Sequence, residues 1–137
     1  MSLRALTTCA ALGLCGLGLA LPAQAAADAV RGEALHARCQ ACHALAFDRV
    51  GPRHCGLLGR RAGSVPDFGY SPAMKRSAII WDDKALDRFL AAPMRAVPGT
   101  TMTYDGVPDR QERLDLIAYL RQVDKTPACR ANQTARP

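Results

Sequence analysis

The first patterned segment of the chain is a run of apolar and small residues at positions 5–21. Arg4 precedes the run, and residues 22–25 (PAQA) follow it with the small residues of an A-x-A cleavage site. This order predicts that residues 1–25 are a secretory signal peptide that is removed from the mature protein. The alternative is a membrane anchor, but the run is at the short end for a bilayer span.

Three later segments have the periodicity of amphipathic helices. They cover residues 28 to about 42, residues 82 to about 90, and residues 109 to about 123. Asp82 can cap the second helix, and Asp109 with Glu112 has the spacing of a capping box at the start of the third. We therefore expect an all-α domain over residues 26–125, followed by a loose C-terminal tail over residues 126–137.

Long loops separate these helices. Residues 44–80 are rich in glycine and proline, and Pro93 and Pro98 interrupt a second loop before the last helix. Loops of this length are unusual in a small domain unless something other than protein organises them. Aromatic residues make up only 5% of the chain, so three modest helices bury little by themselves. A large, flat, apolar cofactor would complete such a core.

The chain is basic, with a formal net charge of +6. Arg4 is the only charged residue of the predicted signal, so nearly all of this charge belongs to the mature protein. The basic residues are scattered and form no run longer than two, and secretion also argues against a nucleic-acid partner. We expect the excess positive charge to favour docking of an acidic partner protein, or solubility.

Residues 39–43 have the sequence C-x-x-C-H, the attachment signature of haem c. Two thiols three positions apart on a helical turn can reach neighbouring vinyl groups of a porphyrin, and the adjacent His43 can then ligate the iron. Three alternatives compete with this interpretation. They are a thioredoxin-like pair, which lacks its βαβ context here, a disulfide between Cys39 and Cys42, and a zinc site. The zinc site would need further ligands from His36, His43, His54 and Cys55.

A second axial ligand would come from a distant part of the chain. The candidates are Met102, Met94, Met74, His54 and Lys75. Met102 is favoured because the Pro98-Gly99 turn before it can aim a side chain inward. A thioether opposite a histidine gives a higher reduction potential than two histidines.

The sequence resembles the class I cytochromes c, of the mitochondrial cytochrome c and bacterial cytochrome c2 type, over about residues 31–123. Its motifs follow the order of the family: CQACH at 39–43, VGP at 50–52, GLLGR at 56–60, FGYS at 68–71, IIW at 79–81, PGTTM at 98–102 and ERLDLIAYL at 112–120. Each motif is short, but the set is specific. The resemblance implies the class I cytochrome c fold, with three main helices and long loops around one covalently attached haem.

The resemblance also implies the site residues. Cys39 and Cys42 would hold the haem, and His43 and Met102 would ligate its iron. The carbonyl of Pro52 would accept a hydrogen bond from the His43 ring. Contacts with the haem propionates are implied for Arg60, Tyr70, Trp81 and Thr100.

Several positions depart from the family pattern. Phe89 replaces a tyrosine near the methionine sulfur and Met74 replaces a polar residue, so we expect a drier distal pocket. Gly32 lies one residue closer to the motif than usual, which predicts a trimmed first helix. His54 and Cys55 replace residues that are commonly apolar or imidazole.

Cys55 and Cys129 are the two cysteines that remain once the signal and the haem motif are set aside. Two free thiols are unexpected in an exported protein. The sequence therefore predicts a Cys55–Cys129 disulfide that ties the C-terminal tail to the loop after the motif.

These features predict a soluble periplasmic electron carrier rather than an enzyme. Its expected partners are redox proteins such as a quinol-side donor complex and a terminal oxidase or reaction centre. We expect a monomer that is not inserted in the membrane after signal cleavage. The alternatives are a dedicated cytochrome subunit of a periplasmic dehydrogenase and a haem peroxidase-like enzyme, which would need an open sixth iron position.

Overall fold

The computed structural model describes residues 25–134, which form helices joined by long connections. Within this range there is no β-strand, and one isolated antiparallel bridge joins Arg61 and Ile80. The all-α prediction is therefore confirmed. The helices are α1 (Ala29–His36), α2 (Pro72–Arg76), α3 (Asp83–Ala91), α4 (Pro93–Ala96), α5 (Arg110–Val123) and α6 (Pro127–Thr134).

The predicted signal segment lies outside the described residues, apart from Ala25. None of the helices that the structure describes is both long enough and apolar enough to cross a membrane.

Helix α1 is shorter than the predicted segment of residues 28–42. Its N-cap is Asp28, whose carboxylate accepts hydrogen bonds from the backbone N–H groups of Val30 and Arg31. The α-helix ends at His36, and a 3₁₀ turn over Ala37–Cys39 continues it. The tighter turn ends the helix before the C-x-x-C-H motif is complete, so the motif lies at the end of α1 and not within it.

The crossing of α1 and α5 is the largest contact between helices, and Gly32 makes it close. A Cβ atom at position 32 would lie 2.0 Å from the carbonyl oxygen of Asp115 and 2.8 Å from Cβ of Tyr119. Because the nearest obstacle is backbone, no rotamer change could relieve that contact. The two helices can approach this closely only with glycine at this position.

A buried carboxylate fixes the same crossing. Asp115 is 2% exposed, and it accepts hydrogen bonds from Nε of Arg31 at 2.9 Å and from the backbone N–H of Asp28 at 2.8 Å. Gln111 donates to it at 3.0 Å. The Arg31 hydrogen bond is the main reason that the pKa of Asp115 falls to about 2. The start of α1 is therefore held to α5 by a charged network.

Helices α3 and α5 begin where their capping residues predict. The carboxylate of Asp82 accepts from the backbone N–H of Ala85, and that of Asp109 accepts from the backbone N–H of Glu112, both at 2.7 Å. The inward faces of the two helices meet in one hydrophobic core. Its buried members include Trp81, Leu86, Phe89, Leu90, Leu116, Ile117 and Leu120.

Two short helices were not predicted. Helix α2 starts at Pro72, with the Ser71 hydroxyl accepting from the backbone N–H of Met74 at 3.2 Å. Helix α4 is a single turn that starts at Pro93. Proline suits the first turn of a helix because its missing N–H would have no partner there. Helices this short carry too few residues for a periodic pattern.

The segment after Lys125 is helical rather than loose. Helix α6 contains Cys129, which forms a disulfide with Cys55 across a Cα–Cα distance of 5.0 Å. Both cysteines are buried. The carboxylate of Asp124 adds a second link, because it accepts hydrogen bonds from the backbone N–H groups of Gly56 and Leu58. The disulfide prediction is confirmed, and the expectation of a loose tail is wrong for Pro127–Thr134.

The Asp115 network predicts a pH-dependent stability. We expect Asp115→Asn to lower the free energy of unfolding of the haem-loaded protein by about 2 kcal/mol at neutral pH, since charged hydrogen bonds are lost. The folded pKa lies below the unfolded one, so this stabilisation is complete above about pH 4 and is lost as the pH falls towards about 2. Urea denaturation at several pH values measures the difference, which should shrink over that window.

The exposed Asp105→Asn is the matched control, and we expect it to leave the stability unchanged at every pH. A difference between Asp115→Asn and the unaltered protein that stayed constant down to pH 2 would contradict the role of the carboxylate charge.

Candidate functional site

The C-x-x-C-H motif forms one continuous turn. The backbone N–H groups of Cys42 and His43 both donate to the carbonyl of Cys39, at 3.1 and 2.8 Å. Neither cysteine is in a disulfide; Cys39 is half-buried and Cys42 is exposed. Burial raises the pKa of the Cys39 thiol. The structure therefore presents two unpaired thiols on a single turn, next to the imidazole of His43.

The His43 ring is oriented by the loop that follows it. Its Nδ1 lies 2.7 Å from the carbonyl oxygen of Pro52, and because that oxygen can only accept, Nδ1 carries the proton. The lone pair of Nε2 is therefore free for a metal. Burial lowers the pKa of His43, which favours the neutral form that a metal requires. The geometry expected for Pro52 is present.

Gly51 allows this loop to approach the ring. A Cβ atom at position 51 would lie 2.3 Å from Cε1 of His43 and 2.6 Å from both ring nitrogens. The backbone N–H of Gly51 also donates to the carbonyl of Cys42 at 2.8 Å. Hydrogen bonds from Gly51 to Cys42 and from His43 to Pro52 thus hold this loop against the motif, where a side chain at position 51 would overlap the His43 ring.

His54 lies beside His43 and not across from it. The two rings stack with centroids 4.4 Å apart and an interplanar angle of 23°. Nδ1 of His54 lies 3.0 Å from Nε2 of His36. Burial and the neighbouring charges lower the pKa of His54 well below its usual value. This placement argues against His54 as a ligand opposite His43.

Arg60 and Trp81 are neighbours through the backbone. The N–H of Trp81 donates to the carbonyl of Arg60 at 2.9 Å, and the indole ring is buried against Phe89, with centroids 4.9 Å apart. The guanidinium of Arg60 is also buried and donates to the carbonyls of Cys55 and Arg53. A buried guanidinium of this kind could bind an anionic group such as a carboxylate.

Tyr70 lies within the electrostatic reach of Arg60. Burial raises the pKa of the Tyr70 hydroxyl, and the charge of Arg60 acts in the opposite direction. Of the four predicted propionate residues, Arg60 and Trp81 are joined by a backbone hydrogen bond, and Tyr70 is partly buried against the same core.

Thr100 and Met102 lie together on the loop after α4. The backbone N–H of Met102 donates to the Thr100 hydroxyl at 3.2 Å, and the N–H of Thr100 donates to the carbonyl of Val97 at 3.0 Å. Gly99 has φ of +88°, a conformation that favours glycine. Met102 is partly buried against the hydrophobic core.

The other candidate ligands lie in less suitable surroundings. Met94 is 47% exposed, Lys75 is exposed, and Met74 belongs to the core. Met102 is therefore the candidate that combines partial burial with a turn-defined position on a loop.

These residues fit a covalently attached haem. Two unpaired thiols, an imidazole with a free Nε2 and a partly buried thioether are the donor set that such a cofactor uses. In the described part of the chain, no group of three or more His, Cys, Asp or Glu side chains could hold a metal ion. Nothing there supports the zinc alternative.

Comparisons with known proteins point to one family. The family model Cytochrome c matches residues 29–124. The chain is 44% identical to cytochrome c2 of Rhodomicrobium vannielii, covering 72% of this chain and 81% of that protein. It is 39% identical to cytochrome c2 of Blastochloris viridis, covering 80% and 89%. The structure of cytochrome cH from Methylobacterium extorquens matches with a TM-score of 0.68 and 40% identity, covering 69% of this chain and 98% of that one.

Fold and site together define a small helical protein that attaches a haem through a C-x-x-C-H turn. Such proteins transfer electrons and are not enzymes. The chain belongs to the cytochrome c family, and its cofactor is one covalently attached haem c.

Two features of the site were missed from the sequence. The sequence indicates Gly51 only as part of a family motif, and it does not predict the contact between His36 and His54. A C-x-x-C-H motif followed within ten residues by Gly-Pro could have indicated the close approach of Gly51. The pairing of His36 with His54 depends on the packing of α1 and has no local signal.

We predict that Gly51→Ala disturbs the histidine. The new methyl group would overlap the His43 ring, so the ring or the loop must shift, at a cost of about 1–3 kcal/mol in stability. Thermal unfolding and the yield of haem-loaded protein measure this effect. Gly69→Ala is the control, because its Cβ would meet nothing within 4 Å. Equal stability and equal haem loading for the two variants would refute the predicted clash.

Proposed function

We propose that this protein shuttles single electrons in the periplasm through a haem c that is bonded to Cys39 and Cys42 and ligated by His43 and Met102. Its donors and acceptors would be redox proteins such as a quinol-side complex and a terminal oxidase or reaction centre. Membership of the cytochrome c family supports the electron-carrier role.

The observation that carries the assignment is the orientation of His43. Its Nδ1 is engaged by the Pro52 carbonyl at 2.7 Å, so Nε2 is the nitrogen left for iron. The same turn carries two unpaired thiols, at Cys39 and Cys42. A ligand held by a hydrogen bond to its second nitrogen is both oriented and made more basic. No other histidine of the described chain is adjacent to a pair of unpaired cysteines.

The surrounding side chains would set how the bound haem behaves. When bound, the haem supplies one-electron cycling between ferrous and ferric iron. Met102 would fill the position opposite His43, which leaves no site for oxygen or peroxide. Trp81 and Phe89 belong to the buried hydrophobic core, and an apolar environment favours the less charged, reduced form. The buried Arg60 would pair with a propionate.

The surface beside the motif suits a transient protein partner. Cys42 is exposed, and Phe47 and Val50 nearby in sequence are 60% and 82% exposed. The guanidinium of Arg49 lies 5.7 Å from the centre of the Phe47 ring. Together with the basic character of the chain, which persists once Arg4 is removed with the signal, this arrangement favours brief, electrostatically steered encounters with an acidic redox protein. Residues 1–25, with their signal-like pattern, support a periplasmic location.

Met102→Ala tests the proposed ligation. In the haem-loaded protein, we expect loss of the weak far-red band of a methionine–iron bond, a lower reduction potential and new binding of carbon monoxide to the reduced form. Visible spectroscopy and voltammetry measure these changes. Met94→Ala is the matched control, because that side chain is largely exposed. Persistence of the far-red band in Met102→Ala would exclude Met102 as the ligand.

A further inference from the structure

Three imidazoles lie in a row behind the attachment motif. The rings of His43 and His54 stack at 4.4 Å, and the rings of His54 and His36 meet edge to face at 5.2 Å. The row ends inside the protein, since His36 is only 1% exposed and its ring packs 5.2 Å from that of Tyr119 on α5. The proposed iron ligand is therefore connected by side chains to the interface of α1 and α5.

The direction of the hydrogen bond between His36 and His54 follows from their surroundings. Nδ1 of His36 is buried without a hydrogen-bond partner. A buried N–H without an acceptor is rarer in proteins than a buried acceptor without a donor, so the proton of His36 lies on Nε2. His36 thus donates to Nδ1 of His54 at 3.0 Å, and this bond fixes the rotation of the His54 ring.

The backbone of His54 is fixed as well. Its N–H donates to the carbonyl of Ala44 at 3.1 Å, and the next N–H, that of Cys55, donates to the carbonyl of Leu45 at 2.8 Å. Cys55 is held in addition by its disulfide to Cys129. Both the position and the ring orientation of His54 are therefore fixed by contacts that do not involve His43.

We propose that His54, oriented by His36, is a positioning residue that sets the plane of the His43 ring on the haem iron. This inference rests on the proposed ligation by His43. The hydrogen bond to Pro52 engages one edge of the ring and leaves it free to rock about the line through that bond. A ring stacked on its face, with the two planes inclined by 23°, restricts this rocking. An aliphatic side chain at position 54 would fill the space, but it would present no flat surface of fixed orientation.

The proton NMR spectrum of the ferric, haem-loaded protein tests this positioning. The shifts of the haem methyl groups depend on the orientation of the axial histidine plane. His54→Leu removes the stacked ring, and His36→Phe keeps an aromatic ring but removes the donor. We expect both variants to change the pattern of methyl shifts. His36→Gln keeps an N–H donor, and we expect it to retain the original pattern.

Tyr119→Phe is the matched control, because it keeps the ring that packs against His36 and removes only a hydroxyl group. We expect it to leave the methyl shifts unchanged, which distinguishes positioning from general loosening of the α1–α5 interface. If His36→Phe gives no haem-loaded protein, His54→Phe repeats the test, since it keeps a ring beside His43 and removes the acceptor. Methyl shifts identical to those of the unaltered protein in His54→Leu and in either phenylalanine variant would overturn the proposal.

The visible spectrum of the unaltered protein distinguishes a failure of this inference from a failure of the proposed function. That spectrum reports histidine–methionine ligation independently of the ring plane. A normal spectrum together with unchanged methyl shifts in the variants would reject only the role of His54. An unaltered protein without that ligation would reject the proposed function itself.

Discussion

The hydrogen bond from Nδ1 of His43 to the carbonyl of Pro52 is the contact on which the site depends, because it selects the ring nitrogen that is free for iron. It requires two things of the chain. The loop at positions 51–52 must reach the ring, which only glycine at position 51 permits. The end of α1 must hold the motif still, which is achieved by the turn that both Cys42 and His43 close on the carbonyl of Cys39.

The first helix is held in place by a contact that combines close backbone approach with charged hydrogen bonds. At the crossing with α5, Gly32 brings the backbones together, and the buried Asp115 receives Arg31 and the N-terminus of α1. On the other side of the motif, the Cys55–Cys129 disulfide and the carboxylate of Asp124 hold the following loop to the C-terminal segment. The motif is thus fixed from both directions, and a helix of only eight residues suffices to position it.

The sequence predicted those elements whose signals are local. Helices α3 and α5 were identified by their apolar periodicity and by the capping carboxylates of Asp82 and Asp109. The disulfide was predicted because Cys55 and Cys129 are the two cysteines outside the signal and the haem motif. Helix α6 was missed although its start has a local signal, with Pro127 at the first helical position and the Thr126 hydroxyl accepting a hydrogen bond from the backbone N–H of Cys129. The row from His43 to His36 was missed because its three members come from separate segments, and only the packing of the loop against α1 brings them together. Motif and resemblance therefore predicted the donor set, while the arrangement around it came from tertiary contacts.

The most direct test of the account is the visible spectrum of the full chain after export and haem attachment, recorded in the oxidised form and again after reduction with dithionite. The account predicts a sharp α band of c type in the reduced protein and the weak far-red band of a methionine–iron bond in the oxidised protein. A protein without colour, produced alongside an active haem-attachment system, would contradict the central claim that this fold is organised around a haem bonded to Cys39 and Cys42.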